Sequence, residues 1–123
     1  MKIVVVTGCL GFIGSYVTMK CLEKGWKVLG IDKCTYAANE GVLWNIGSNN
    51  NFTFLEEDIC MIKSLPDCDY VINTAAETHV GNSIINSDEF IRTNVKGVQN
   101  LLEIIRNKPS NICARPILFH FST

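Results

Sequence analysis

The sequence is poor in the residues on which several common chemistries depend. It holds only two histidines, His79 and His120, and its six cysteines (Cys9, Cys21, Cys34, Cys60, Cys68 and Cys113) stand at irregular spacings with no C-x-x-C pair. Zinc is held by thiolates and imidazoles at short fixed spacings, so no metal site is expected. Basic residues are not in excess either: 11 Lys and Arg face 12 Asp and Glu, for a formal net charge of -1. A nucleic-acid binder needs a basic face, and that function is disfavoured. No apolar run is long enough to cross a bilayer, which leaves no expectation of a membrane partner. The apolar stretch 3–6 behind Met1 and Lys2 is too short for a signal-peptide core before Gly8 breaks it. Most of the cysteines sit in apolar strand or helix patterns, where a reduced thiol packs as a small hydrophobe, and a cytoplasmic chain with free thiols is expected.

What remains has the make-up of one ordinary globular domain. Of 123 residues, 47% are hydrophobic and 19% charged, enough to bury a core and too few for a second domain, so a single domain over 1–123 is expected. Apolar β-branched runs alternate with stretches of helical periodicity. Residues 3–6 read as a buried strand, and Ile13, Val17 and Cys21 recur at helical spacing from Phe12 until Lys24-Gly25 closes the helix. Strands follow at 27–31, with Asp32 at its end, at 52–55, at 70–72 and at 117–121. A polar segment with a short helix near 40–44 separates the second and third. An amphipathic helix is expected from Asp88 to Lys108-Pro109, with Ile91, Val95, Val98, Leu102 and Ile105 turned inward. This order predicts an α/β, Rossmann-like doubly wound parallel sheet of about five strands, truncated after the fifth.

Gly8, Gly11 and Gly14 fall at steps of three between the first strand and the first helix. Such a turn serves a dinucleotide: tight backbone at Gly8, close approach to a pyrophosphate at Gly11, close helix packing at Gly14. Glycines alone are weak evidence, because a turn and a helix start use them without a ligand. Asp32 adds to them, since an acid about 20 residues on, at the end of the second strand, accepts hydrogen bonds from ribose hydroxyls. A carboxylate there also repels a 2′-phosphate, which favours NAD over NADP. The alternative for Asp32 is a solvated strand-end carboxylate.

The G-x-x-G-x-x-G spacing resembles that of the extended short-chain dehydrogenase/reductases, and several stretches are similar to the nucleoside-diphosphate-glucose 4,6-dehydratases among them. These are Thr7-Gly8 with Gly11-Phe12-Ile13-Gly14-Ser15, Asp32-Lys33-Cys34-Thr35-Tyr36-Ala37 with Asn39, and Ala75-Ala76-Glu77-Thr78-His79-Val80 with Ser83-Ile84. Phe90-Ile91-Arg92-Thr93-Asn94-Val95-Lys96-Gly97 and the closing Phe121-Ser122-Thr123 complete the set. The resemblance implies an NAD cofactor, with Phe12 and Ile13 along the pyrophosphate, Asp32, Lys33, Cys34 and Thr35 at the adenosine ribose, and Asp58 and Ile59 beside the adenine. It places Thr74, Ala75 and Ala76 on the nicotinamide side, Thr93 against the cofactor, and Thr78 toward a dTDP- or UDP-glucose substrate. A homodimer is implied for a full-length relative. Plainer readings stay open: Asp58 as a helix N-cap before Met61, Thr74 to Ala76 as packing residues, Thr93 as a helix-surface residue.

In that family the sugar C4 hydroxyl is oxidised by NAD, water is lost across C5 and C6, and the hydride returns to C6. The resemblance matches Thr123 to a catalytic threonine. The acidic pair that follows it, and a Tyr-x-x-x-Lys after the fifth strand, are absent; Tyr16 and Lys20 have the spacing but sit on the first helix. Gly81 also stands where the family pattern has aspartate. His79 is not assigned catalysis, and His120, in the last apolar run, is expected to pack in or beside the sheet. Two alternatives stand beside a dehydratase fragment: a catalytically dead NAD-binding module, and a fragment of a sugar-nucleotide epimerase.

Overall fold

In this computed structural model, residues 1–33, 46–75, 88, 91–108 and 115–121 are described, with only the backbone of Thr93. Five strands form one sheet: β1 (Ile3–Thr7), β2 (Lys27–Asp32), β3 (Phe52–Glu56), β4 (Tyr70–Asn73) and β5 (Ile117–His120). Their order is β3-β2-β1-β4-β5 and every pairing is parallel. The chain therefore runs outward from β1 to β3, crosses back, and runs outward again through β4 and β5. This reversal beside β1 makes the sheet doubly wound, as the alternation of patterns predicts.

β1 is central because its side chains suit burial on both faces. Val4, Val5 and Val6 are fully buried, and their branched Cβ atoms pack well on a pleated surface. Val4 and Val6 join Cys9, Leu10, Cys21, Val28, Ile46 and Phe52 on one side of the sheet. Val5 joins Ile31, Ile59, Ile62, Leu65, Val71, Leu101 and Ile105 on the other. The first core lies under α1 (Phe12–Glu23) and the second under α2 (Gly97–Arg106), which a π-helical turn, Arg92–Lys96, precedes.

Both helices form where their periodicity places them, yet each is rotated from its expected face. In α1 the buried residues are Gly14, Thr18 and Cys21, while Ile13 is exposed and Val17 only half-buried. Small residues at that spacing let the helix lie close on the sheet, and Thr18 returns its hydroxyl to Gly14 O at 2.8 Å. In α2 Gly97, Leu101 and Ile105 are buried, whereas Ile91, Val95 and Leu102 are exposed. For Ile91 and Val95 the cause is the π-helical turn, whose wider i to i+5 bonding turns the positions before Gly97 out of phase with those after it, while Leu102, beyond the turn, lies beside the buried face that Gly97, Leu101 and Ile105 set at steps of four.

β5 departs from expectation too. His120 is exposed rather than packed in the sheet, and Ile117, Phe119 and Phe121 are 58%, 49% and 42% exposed. These three share the sheet face that carries Tyr70, whose ring lies 5.6 Å from Trp26 and 5.9 Å from Phe119. Among the described residues no strand pairs with the outer edge of β5. An apolar unpaired edge templates further strand addition. The 123-residue chain is therefore expected to self-associate in light scattering, and Ile117→Lys with Phe119→Lys to reduce the association. A wild-type chain that stays a monodisperse monomer at high concentration contradicts this.

Candidate functional site

Ligands in open α/β sheets bind at the carboxyl ends of the strands where the order reverses, which here is the crevice between β1 and β4. The turn after β1 opens it. Gly8 has φ +70°, a conformation that a Cβ strains, and its amide donates to Ile31 O at 2.7 Å. A Cβ at Gly8 would fall 2.7 Å from the Ala75 amide nitrogen. One at Gly14 would strike Gly8 O and stand 2.6 Å from Thr74 Oγ1. Thr74 Oγ1 in turn donates to Thr7 O at 2.7 Å and lies 3.2 Å from Gly8 O. The glycine turn and the end of β4 are thus interlocked, backbone against backbone. Gly11 differs, since among the described residues a Cβ there meets only Gly8 O at 3.3 Å, a contact that nearly accommodates a side chain.

Gly11 is also the N-cap of α1, and among the described residues no side chain caps that helix end. A helix end without a cap leaves amide donors and a partial positive charge facing outward. Phe12, the first residue of α1, is 93% exposed, and Ile13 is exposed beside it. At the end of β2 Asp32 is 9% exposed, and its carboxylate accepts from Leu10 N–H at 3.0 Å through Oδ2. The strand-end acid is therefore not a solvated one: it is tied to the glycine turn. Lys33 follows, half-buried.

Asp58 lies beyond β3. Its Oδ1 accepts from Cys60 N–H at 2.9 Å and its Oδ2 from Arg92 Nη1, while its carbonyl takes Met61 N–H at 2.8 Å. It caps a turn rather than a helix. Partial burial pushes its carboxyl up, but the Cys60 amide, the Arg92 guanidinium and nearby Lys33 outweigh this and hold it below the ordinary carboxylate range. Cys60 Sγ donates to Arg92 O at 3.2 Å, and Ile59 is buried against Gly97. The loop after β3 is thereby fastened to the π-helical turn that carries Thr93. Burial pushes the Cys21 and Cys60 thiols up.

Of the residues expected at the site, Gly8, Gly11, Asp32, Lys33, Asp58, Ile59, Thr74 and Ala75 stand at strand ends or on the loops that leave them, Phe12, Ile13 and Gly14 form the first turn of α1, and Thr93 lies on the π-helical turn. Cys34, Thr35, Ala76, Thr78 and Thr123 lie outside the described residues, as do the expected short helix at 40–44 and His79. Tyr16 and Lys20 lie on the exposed side of α1, with Lys20 Nζ 5.3 Å from the Tyr16 ring and 3.4 Å from Glu23 Oε2. Three residues were given no site role by the sequence: Arg92, Thr7 and Asn73. The expected fourth strand stops at Ile72, yet a polar residue ending an apolar strand run is itself a sign of a strand-end contact. At the opposite end of the sheet, Lys2, Asp67, Asp69, Tyr70 and Arg115 line a cleft of about 390 Å³. Among the described residues no three His, Cys, Asp or Glu converge as metal ligands, and no helix is long and apolar enough to cross a membrane.

The Asp58 to Arg92 pair generates a pH-dependent stability. A carboxyl held low when folded stabilises the fold above its ordinary range, and that contribution disappears as pH falls through the folded value. Arg92→Met is expected to lose about 1 kcal/mol at neutral pH and less at about pH 2, because the wild-type carboxyl takes up its proton as pH falls through its lowered folded value. Urea unfolding at the two pH values measures it, and an equal loss at both would exclude an electrostatic role.

The GDP-mannose 4,6 dehydratase family model matches residues 5–123. Among curated proteins, a probable dTDP-glucose 4,6-dehydratase of Sinorhizobium fredii is 39% identical over 115 residues, covering 89% of this chain and 33% of the relative. The dTDP-glucose 4,6-dehydratase of Haemophilus influenzae is 36% identical, covering 87% and 34%. Among solved structures, the dTDP-glucose 4,6-dehydratase of Bacillus anthracis in complex with NAD superposes with a TM-score of 0.81 at 29% identity, over 100% of this chain and 38% of that one. A UDP-glucuronic acid 4-epimerase from Bacillus cereus, solved with NAD, gives 0.84 at 27%, over 98% and 40%. The chain spans about a third of the length of the curated relatives it matches. It belongs to the GDP-mannose 4,6-dehydratase family, within the extended short-chain dehydrogenase/reductases.

Proposed function

We propose that this chain is the NAD-binding Rossmann domain of a nucleoside-diphosphate-glucose 4,6-dehydratase. The observation that carries the reading is the joining of Asp32 to the glycine turn: one carboxylate oxygen organises Leu10 N–H, 22 residues away in sequence, beside an uncapped helix N-terminus. A dinucleotide needs both parts together, donors for its pyrophosphate and a fixed acceptor for its adenosine ribose. In this reading Gly8, Gly11, Phe12, Ile13 and Gly14 carry the pyrophosphate, and Asp32, Lys33, Cys34 and Thr35 the ribose. Asp58 and Ile59 border the adenine, while Thr74, Ala75, Ala76 and Thr93 border the nicotinamide side. Relatives crystallised with NAD support this cofactor, and the curated dehydratases support that reaction class over epimerisation.

The cofactor supplies hydride chemistry; the residues of this chain bind and orient it and keep its adenosine end against Asp32. Thr78 faces the dTDP- or UDP-glucose substrate in this proposal, and Thr123 is the catalytic threonine. A cytoplasmic location and a homodimer in a full-length relative belong to the same proposal. Turnover needs a base of suitable pKa and an acid-base pair for the elimination. The only Tyr-x-x-x-Lys in the sequence is Tyr16 with Lys20, away from the crevice. The 123-residue chain is expected to form no 4-keto sugar from dTDP-glucose.

Two substitutions test the cofactor site. Asp32→Ala is expected to weaken NAD binding by about 1 to 3 kcal/mol in titration calorimetry, and wild type to prefer NAD to NADP. Asp32→Asn keeps an acceptor for Leu10 N–H and separates ribose binding from turn stability; unchanged NAD affinity in both variants would refute the assignment. Gly11→Val is expected to abolish NAD binding with helix content retained by circular dichroism, because its obstruction is the ligand rather than the protein. Full binding in that variant would make the turn purely structural.

A further inference from the structure

Thr7, Asn73 and His120 occupy one row across three adjacent strands. Thr7 pairs with Asn73 in the β1–β4 register, and Asn73 with His120 in the β4–β5 register. All three lie at the carboxyl ends of their strands, the end of the sheet where the crevice opens, and Thr7 and Asn73 are fully buried. A buried side-chain amide is costly unless its donors and its acceptor both find partners. For Asn73 they do: Oδ1 accepts from Thr7 Oγ1 and from Ala75 N–H at 3.3 Å, and Nδ2 stands 3.0 Å from His120 Nδ1. The main chain joins in, with Phe121 N–H on Asn73 O at 3.1 Å and Thr74 N–H on Thr7 O at 3.1 Å.

This row determines where the proton on His120 sits. A backbone N–H can only donate, so the amide atom facing Ala75 is the oxygen and the atom facing His120 is the NH2 group. An amide NH2 also only donates, so His120 Nδ1 must accept. The ring is then neutral with its proton on Nε2. We propose that Asn73 is a positioning residue of the crevice: it fixes His120 as the Nε2–H tautomer, a hydrogen-bond donor and not a base at that nitrogen, and with the same amide holds the Ala75 N–H beside the glycine turn. The functional half of this proposal rests on reading the crevice as the NAD site. The tautomer does not.

The two are separable in one set of experiments. The chain is labelled with 15N-histidine, fused to a histidine-free solubilising domain to mask the β5 edge, and examined at about pH 8, above the ordinary imidazole range. With only His79 and His120 in the sequence, loss of one ring in His120→Gln assigns the spectrum. The expected result is a His120 ring with unprotonated Nδ1 and protonated Nε2. In Asn73→Asp, where a carboxylate faces Nδ1, the proton is expected to move to Nδ1, a reversal that a merely structural asparagine would not produce. Saturating NAD is expected to shift the His120 ring signals of the wild type and, in a uniformly 15N-labelled sample, the Ala75 amide signal. A mixture of tautomers or an Nδ1–H ring in the wild type overturns the lock. An Nε2–H ring that is indifferent to NAD, with binding present by calorimetry, overturns the positioning role at the site. A locked ring with no NAD binding overturns the cofactor reading and, with it, the functional half.

Discussion

The close contact between the glycine turn and the end of β4 is the constraint from which the rest of the structure follows. With Gly14 against Gly8 O and Gly8 against the Ala75 backbone, α1 can start only a few ångströms from the sheet. That closeness selects the small stripe Gly14, Thr18 and Cys21 as the buried face of α1 and turns Phe12 and Ile13 outward. It also places the uncapped helix N-terminus at the point where the strand order reverses. Packing and ligand geometry therefore make overlapping demands on the same glycines. Gly8 and Gly14 are required by the fold, while Gly11 is the least constrained of the three by the protein, which is why the proposed reading gives it to the ligand.

Around this contact the polar groups are arranged so that each strand end is tied to its neighbour. Asp32 reaches from β2 to Leu10, Thr74 from β4 to Thr7 and Gly8, Asn73 to Thr7 and His120, and Asp58 from beyond β3 to Arg92. Each tie pairs a group that burial would otherwise penalise. Together they make the mouth of the crevice a connected surface on a rigid sheet, which suits a site that must hold a large cofactor in one orientation.

Much of this was legible in the chain. The strands, their parallel order and the two helices follow from runs such as Val4 to Val6 and from helical spacing, because burial on both faces of a parallel sheet demands continuous apolar strands. The glycine spacing and Asp32 could be read as a unit because turn, helix and acid follow one another in order. The helix faces could not. Counting Ile13, Val17 and Cys21 by hydrophobicity misses that glycine and threonine are chosen where two backbones nearly touch, and counting Ile91 and Val95 with the buried Ile105 assumes a regular helix where a π-helical turn intervenes. Asn73, Arg92 and the exposure of His120 were hidden for a further reason: they are set by partners 34 to 66 residues away, which no local pattern encodes.

Mapping NAD onto the chain by backbone amide shifts tests the central claim most directly, that one crevice at the carboxyl ends of β1, β2 and β4 is the cofactor site. Saturating NAD is expected to perturb the amides of Gly8, Leu10, Gly11, Phe12, Ile13, Asp32 and Ala75, and to leave Lys2, Asp69 and Arg115 at the other end of the sheet unmoved. Perturbations clustered at that opposite end, or none at the glycine turn, would contradict the account.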